Sequence, residues 1–514
     1  MRWKGWIAAG SILLAAAAQA SAGSGTVVLL HTNDLHAHFT PEAASWRSDN
    51  APVGGFEAIE ATILRERRAS PNTLWLDAGD FMTGTPLADI EYRGVPGGAI
   101  VEFYNIAGLE GMTIGNHEFD VSPEDQRRLL DMARFPVFGA NLFDAEGKPF
   151  TGESYRVYPV GDVRVGVIGI TTEELGGLLG DPGYAGIRIE SGVETLRRIV
   201  PEIDPVTDLI VVLSHEGIET DRVIAREVPG IDVIIGGHSH TRLDEGERVG
   251  DVWILQAGCN GRYVGRAELE VRDDAVASAD CRLITTLAGE AEGTAPVRAL
   301  VEAYEKRIIE EFGVVIAQAS AHMERSYYGE SELGDWLADR MREIAGADVA
   351  LINSGGIRKD LEAGPITKLD IREMLPFQNY MLRFECTGAD LLAFALHNAR
   401  AEAEQSHGIV QISGIEYSYA TDEKGTTLHR VTVGGEPVDL GRIYSVASVD
   451  YLAVSQPEKY LGFLPGETHP FPGTLTTQVT AAVEKLGRID PPREDRIRRV
   501  AIDTFVRPED ERRR

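Results

Sequence analysis

Five short segments of this chain gather the residue types that bind metal ions. They are His31-Thr32-Asn33-Asp34-Leu35-His36, Asp77-Ala78-Gly79-Asp80, Gly115-Asn116-His117-Glu118, Ser214-His215-Glu216 and Gly236-Gly237-His238-Ser239-His240. In extended backbone, residues i and i+2 project to one side, so Asp34 with His36, and His238 with His240, can each present two donors to one place. Imidazole nitrogens mixed with carboxylate and amide oxygens suit borderline divalent ions such as Zn, Mn or Fe better than magnesium alone. Asp34, His36, Asp80, Asn116, His215, His238 and His240 together offer seven donors. Ions that each want about four ligands or more are most economically served as a pair sharing one carboxylate. Each motif alone is equally compatible with a turn or a solvated loop; the conjunction is what points to chemistry.

The elements that must position these groups are visible as hydrophobic runs. Thr26 to Leu30, Thr73 to Leu76, Val163 to Ile170, Leu209 to Leu213 and Val233 to Ile235 have strand length, with helical patterns such as Val53 to Arg68 between them. Near-continuous Val/Ile/Leu runs predict strands buried on both faces by helices, hence an α/β layered domain. Each polar segment lies just beyond the C-terminal end of such a strand, where α/β sheets gather ligand groups in a common crevice. Ser122-Pro123 predicts a helix start directly after the Gly115 to Asp120 segment. A charged helical stretch around Pro296 to Phe312 reads as a connector. Beyond it comes a second α/β pattern, with Asp348 to Ile352 as a strand running into Asn353-Ser354-Gly355-Gly356-Ile357-Arg358.

With 514 residues the chain exceeds what one core usually supports. The expected division is a signal peptide over 1–22, a catalytic domain over 23–292, a linker helix over 293–316 and a C-terminal domain over 317–507. Arg2 and Lys4 precede an apolar stretch from Trp6 to Ala18 and the small-residue site Ala20-Ser21-Ala22. That run is shorter than a spanning helix needs, so export to the periplasm or medium, without a stable membrane anchor, is expected. The formal charge of -30 argues against binding a nucleic acid polymer through a basic surface. An anionic small substrate would need a locally positive centre, which metal ions would supply. Three cysteines are too few for a disulfide framework, though Cys259 with Cys281 is conceivable.

In order, Asp34-Leu35-His36, Gly79-Asp80, Gly115 to Glu118, His215 and Gly237 to His240 resemble the signature blocks of the calcineurin-like metallophosphoesterase superfamily. With Thr32-Asn33, Phe119-Asp120 and Asn353 to Arg358, the chain is similar to the bacterial 5'-nucleotidase/UDP-sugar hydrolase family over essentially its mature length. The resemblance implies a four-layer α/β/β/α N-terminal domain joined by a helix to a smaller α/β substrate domain. It implies one divalent ion on Asp34, His36 and His240, another on Asn116, His215 and His238, and Asp80 between them. It makes His117 the non-ligand catalytic histidine, oriented by Asp120. His38 and Asp77 read as supporting groups. At position 240 relatives can carry Gln or Asn where this chain has His.

The loop Asn353 to Arg358 has glycines that permit close backbone approach, Gly356 among them, and an arginine able to clamp phosphate. Similarity assigns Asn353, Gly356 and Arg358 to substrate binding, and Phe377 and Tyr451 to a slot gripping a nucleobase by stacking. Ser455-Gln456-Pro457-Glu458 stands where the family has Gly-Gly-Asp-Gly, so a ribose-binding aspartate is missing. The expected activity is hydrolysis of nucleotide phosphomonoesters by a monomeric protein, with substrate held between domains that close about the connector. A 2',3'-cyclic-nucleotide phosphodiesterase with 3'-nucleotidase activity, a thiosulfate-ester hydrolase and a non-catalytic nucleotide-binding protein are the alternatives.

Overall fold

The computed structural model describes residues 23–501, apart from 43, 45, 46, 178–183, 185, 291, 378, 493 and 494. The signal peptide expected over 1–22 and the end of the C-terminal domain beyond 501 lie outside the described residues.

Two six-stranded sheets form the middle of the N-terminal domain. The first runs Ala275–Thr285, Tyr263–Arg272, Gly25–Thr32, Thr73–Asp77, Gly111–Thr113, Val137–Phe138. The second runs Glu247–Val249, Val252–Leu255, Val233–Gly236, Leu209–His215, Val163–Thr171, Tyr155–Val160. Their apolar runs serve two cores at once. Val27, Leu29, Leu74 and Leu76 of the first sheet meet Val165, Val167, Val211 and Leu213 of the second. The alternate residues face helices: Val28, Leu30 and Trp75 pack with Phe56–Ala69 and Gly98–Ala107, while Ile168, Ile170, Ile210 and Val212 pack with Gly192–Ile203 and Ile218–Glu227. This is the expected α/β/β/α order, and each fully buried Leu, Ile or Val side chain contributes about 1.5–3 kcal/mol.

Parallel pairing aligns the strand ends that matter. Thr32 lies opposite Asp77, Asp77 opposite Met112, and Ser214 opposite Gly236. The chain therefore leaves these strands along one rim carrying the polar segments. Ser122 caps the helix Pro123–Met132 as its sequence predicts, its Oγ accepting from the Asp125 N–H at 3.1 Å.

The connecting helix spans Ala295–Phe312 and buries Val297, Val301, Tyr304 and Ile308 in the outer core of the first sheet. It is thus the last element of that outer layer as well as the link to the C-terminal domain, which has a core of its own. There a five-stranded sheet ordered Val410–Ser413, Val349–Asn353, Ile443–Val449, Tyr380–Thr387, Thr468–Thr474 packs with the helices Glu332–Ala345 and Gly388–Glu404 through Trp336, Leu337, Met341, Leu391 and Phe394.

Candidate metal centre

The structure brings all seven expected donors together. Asp34, His36 and His240 form one set and Asp80, His215 and His238 another, with ligand atoms of each set within 4.8 Å of one another. Asn116 joins the second through its Oδ1, 2.9 Å from His238 Nδ1. His36 and Asp80, one from each set, form a third with His117, so the two sets are contiguous. Within them Asp80 Oδ2 lies 3.0 Å from His215 Nε2 and Asp34 Oδ1 3.4 Å from His240 Nε2.

These positions require unusual backbone. Asp34, His36, Asp80, His238 and His240 have φ of 49°, 50°, 58°, 69° and 53°. Left-handed conformations cost a residue with a Cβ roughly 1–2 kcal/mol, and they persist only where surroundings over-determine them. Here the first two loops bond to each other: the N–H groups of Asp34, His36 and Ala37 donate to the carbonyls of Gly79, Asp80 and Phe81 at 2.8, 3.0 and 2.8 Å.

The orientation of the rings shows that the residues fit a cation. His36 Nδ1 faces the carbonyls of Thr83 (2.9 Å) and Met82 (3.2 Å), so it carries the ring proton, and its Nε2 lone pair points at His240 Nε2, 2.9 Å away. His215 Nδ1 faces the Ala78 carbonyl at 2.7 Å, which aims the Nε2 lone pair at Asp80. Electron pairs this close need a cation between them, a proton or a metal ion. Burial opposes imidazolium here, yet Asp80 raises His215 to about 10, and Asp34 raises His240 to about 10. Burial, assisted by His240, holds His36 well below its usual value.

His117 differs from the donors in its partner. Its Nδ1 is 2.7 Å from Asp120 Oδ2, which also accepts from Thr83 Oγ1 at 2.6 Å. Burial again opposes the charge, but Asp80 and Asp120 raise the imidazole to about 9. Such a group is a proton donor near neutral pH.

A cavity of about 390 Å³ opens from this centre to the C-terminal domain; its wall includes Asn116, His117, His238, Asn353, Arg358, Phe377 and Tyr451. The Phe377 ring is 5.6 Å from the His117 ring and 5.7 Å from the Arg358 guanidinium. Asn353 Oδ1 is buried and has no hydrogen-bond partner among the described residues. Tyr451 packs partly on the C-terminal core and lines the cavity as well, 5.9 Å from Tyr460. In the turn Ser354–Gly356 a Cβ on Gly356 would lie 3.2 Å from Asn353 Oδ1, and Gly355 lines the cavity.

The supporting groups are seated close by. His38 Nδ1 lies 2.9 Å from the His36 carbonyl, and the Asp77 carboxylate accepts from Thr32 Oγ1, Tyr104 Oη and the Gly79 N–H. Cys259, Cys281 and Cys386 are all free, so the conceivable disulfide is not formed. Sequence reasoning passed over Glu118, whose carboxylate accepts from the N–H groups of Asp80, Phe81, Met82 and Gly115 at 3.1, 2.9, 3.1 and 2.7 Å. Its place beside Asn116 and His117 was the available signal. Glu174, Tyr327, Lys459 and Tyr460 also line the cavity and carried no comparable signal.

Residues 27–242 match the family model of calcineurin-like phosphoesterases, and residues 314–458 that of the 5'-nucleotidase C-terminal domain. Human 5'-nucleotidase is 27% identical over 497 residues, covering 84% of each chain. The protein UshA of Yersinia enterocolitica is 25% identical over 491 residues, covering 83% of this chain and 85% of that one. Among solved structures, a 5'-nucleotidase precursor from Thermus thermophilus superposes with a TM-score of 0.80 at 28% identity, covering 93% of this chain and 99% of that one.

Proposed function

The chain belongs to the family that joins a calcineurin-like phosphoesterase domain to a 5'-nucleotidase C-terminal domain and is a metal-dependent phosphoester hydrolase; from that premise we propose that it is an exported 5'-nucleotidase working with two divalent ions. The supporting observation is that Asp80 falls within ligand reach of His36 on one side and of His215 and His238 on the other. Asp34, His36 and His240 would hold one ion, Asn116, His215 and His238 the other, with Asp80 between them. When bound, such a pair supplies Lewis acidity that makes water nucleophilic near neutral pH and neutralises phosphoryl oxygens.

The chain's own residues do the rest. His117, its Nδ1 held on Asp120, keeps a proton at Nε2 for the leaving ester oxygen. Arg358 offers a planar guanidinium to the phosphoryl group, and Asn353, in the same wall, offers its carboxamide to the substrate. Phe377 and Tyr451 grip the base, and the cavity between the domains excludes water from the ester. Hydrolysis of UDP-sugars fits the same machinery. Residues 1–22 direct the chain to the periplasm or medium; 23–292, 293–316 and 317–507 act as catalytic domain, link and substrate domain of a monomer.

The test is phosphate release from AMP, UDP-glucose, 2',3'-cyclic AMP and p-nitrophenyl phosphate by the purified protein, with bound metal measured. AMP is expected to be the best substrate, a chelator to abolish its hydrolysis, and Zn or Mn to restore it. Turnover of the cyclic nucleotide with none of AMP would overturn the reading.

A further inference from the structure

The cavity between the domains carries a carboxylate that the reaction above leaves unused. Glu174, on the turn Glu173–Gly177 of the N-terminal domain, shares its wall with Tyr451, Gln456, Lys459 and Tyr460 of the C-terminal domain. The other carboxylate of that wall, Asp120, is committed to His117 and Thr83. Glu174 Oε1 lies 3.9 Å from Lys459 Nζ, and its Oε2 lies 3.8 Å from His238 Nε2. Both separations exceed a hydrogen bond, so both oxygens keep lone pairs for a ligand. An ion pair this long and this exposed holds the side chain only weakly.

Its neighbours define where it stands. Lys459 Nζ is 5.8 Å from the centre of the Tyr460 ring, itself 5.9 Å from the Tyr451 ring, so Lys459 marks the Tyr451 end of the cavity. His238, with Nδ1 2.9 Å from Asn116 Oδ1, marks the metal end. Glu174 spans the interval. In a nucleotide, what lies between a stacked base and the scissile phosphate is the sugar, and adjacent sugar hydroxyls are donors that an ionised carboxylate can accept in pairs.

We propose that Glu174 is a specificity-determining residue that reads the vicinal hydroxyls of ribose, so that the enzyme selects ribonucleotides over 2'-deoxyribonucleotides. The inference rests on the nucleotidase reading. It places sugar recognition on the catalytic domain, where a carboxylate reaches toward the C-terminal lysine.

The experiment compares kcat/KM for AMP and 2'-deoxy-AMP in wild type and Glu174→Ala, with bound metal measured in both. The Glu174 side chain is largely exposed, so the substitution spares the fold. Wild type is expected to favour AMP by about tenfold, the low end for a hydrogen bond to a charged group. In Glu174→Ala that ratio should fall to near one through loss on AMP alone, with metal content unchanged. A ratio near one in wild type, or one that survives the substitution, overturns the inference while leaving the nucleotidase reading intact. Loss of metal with equal loss on both substrates overturns it too, making Glu174 a support for His238. Failure of metal-loaded wild type to hydrolyse AMP at all overturns the nucleotidase reading and the inference together.

Discussion

At Glu118 one buried carboxylate accepts four backbone N–H groups from the two loops that present Asp80 and Asn116. Glu118→Gln keeps the shape but puts an NH₂ against one pair of donors, leaving two N–H groups unmatched at about 1–3 kcal/mol each. The expected result is lower metal occupancy, measured by elemental analysis, and a lower Tm. His117→Ala should behave in the opposite way. Its ring hydrogen-bonds Asp120 and is placed to carry a proton, so removing it should lower kcat by about 10²–10⁴ with metal content and Tm close to wild type. A variant of His117 that loses its metal would move this residue into the ligand set, which its place beside His36 and Asp80 makes a real contrast.

The loops between strand and helix approach each other so closely that particular glycines are indispensable. A Cβ on Gly115 would lie 2.2 Å from Asp80 Oδ1 and 2.7 Å from the Asp80 nitrogen. Gly115→Ala must therefore push the Asp80 loop away, and the expected outcome is loss of bound metal and of at least 10²-fold in kcat/KM, since displacement of about 1 Å suffices for that. Normal metal content and turnover in this variant would show that the loops yield cheaply. The same loops explain what could be read from the chain alone. Asp34, His36, Asp80, His215, His238 and His240 are legible because imidazoles and carboxylates directly after Val/Ile/Leu runs announce both ligand and strand end. The left-handed backbone at five donors, and the carbonyls of Ala78, Met82 and Thr83 that set the ring tautomers, are not legible, because main-chain conformation and acceptors carry no residue type. Glu174 and Lys459 escape for a further reason: they are far apart in sequence and meet only through the docking of two domains.

If the substrate binds between the domains as proposed, that docking decides which substrates the whole molecule can use. Leu369 packs against the N-terminal core, and Arg372 of the same helix, Lys368–Met374, reaches Asp89 with Nε 2.6 Å from Oδ2. Arg372 is 7% exposed, and its Nη1 has no hydrogen-bond partner among the described residues, so Asp89 supplies the main compensation for a buried charge. Asp89 follows the turn Pro86–Ala88, nine residues after Asp80, and its bond to Arg372 ties that turn to the C-terminal domain, so the pair is expected to act first on the angle between the domains. On the proposed reading AMP touches both domains, through the metal centre and His117 on one side and Arg358, Phe377 and Tyr451 on the other. p-Nitrophenyl phosphate can react with the metal centre and His117 while filling little of the cavity. Asp89→Asn should consequently lower kcat/KM for AMP by about tenfold or more, the effect of misplacing one half of a divided site, and leave the aryl ester nearly unaffected. Equal loss on both substrates would instead mean that the ion pair supports the fold of the catalytic domain, and that the two halves of the cavity are aligned by Leu369 and the connecting helix alone.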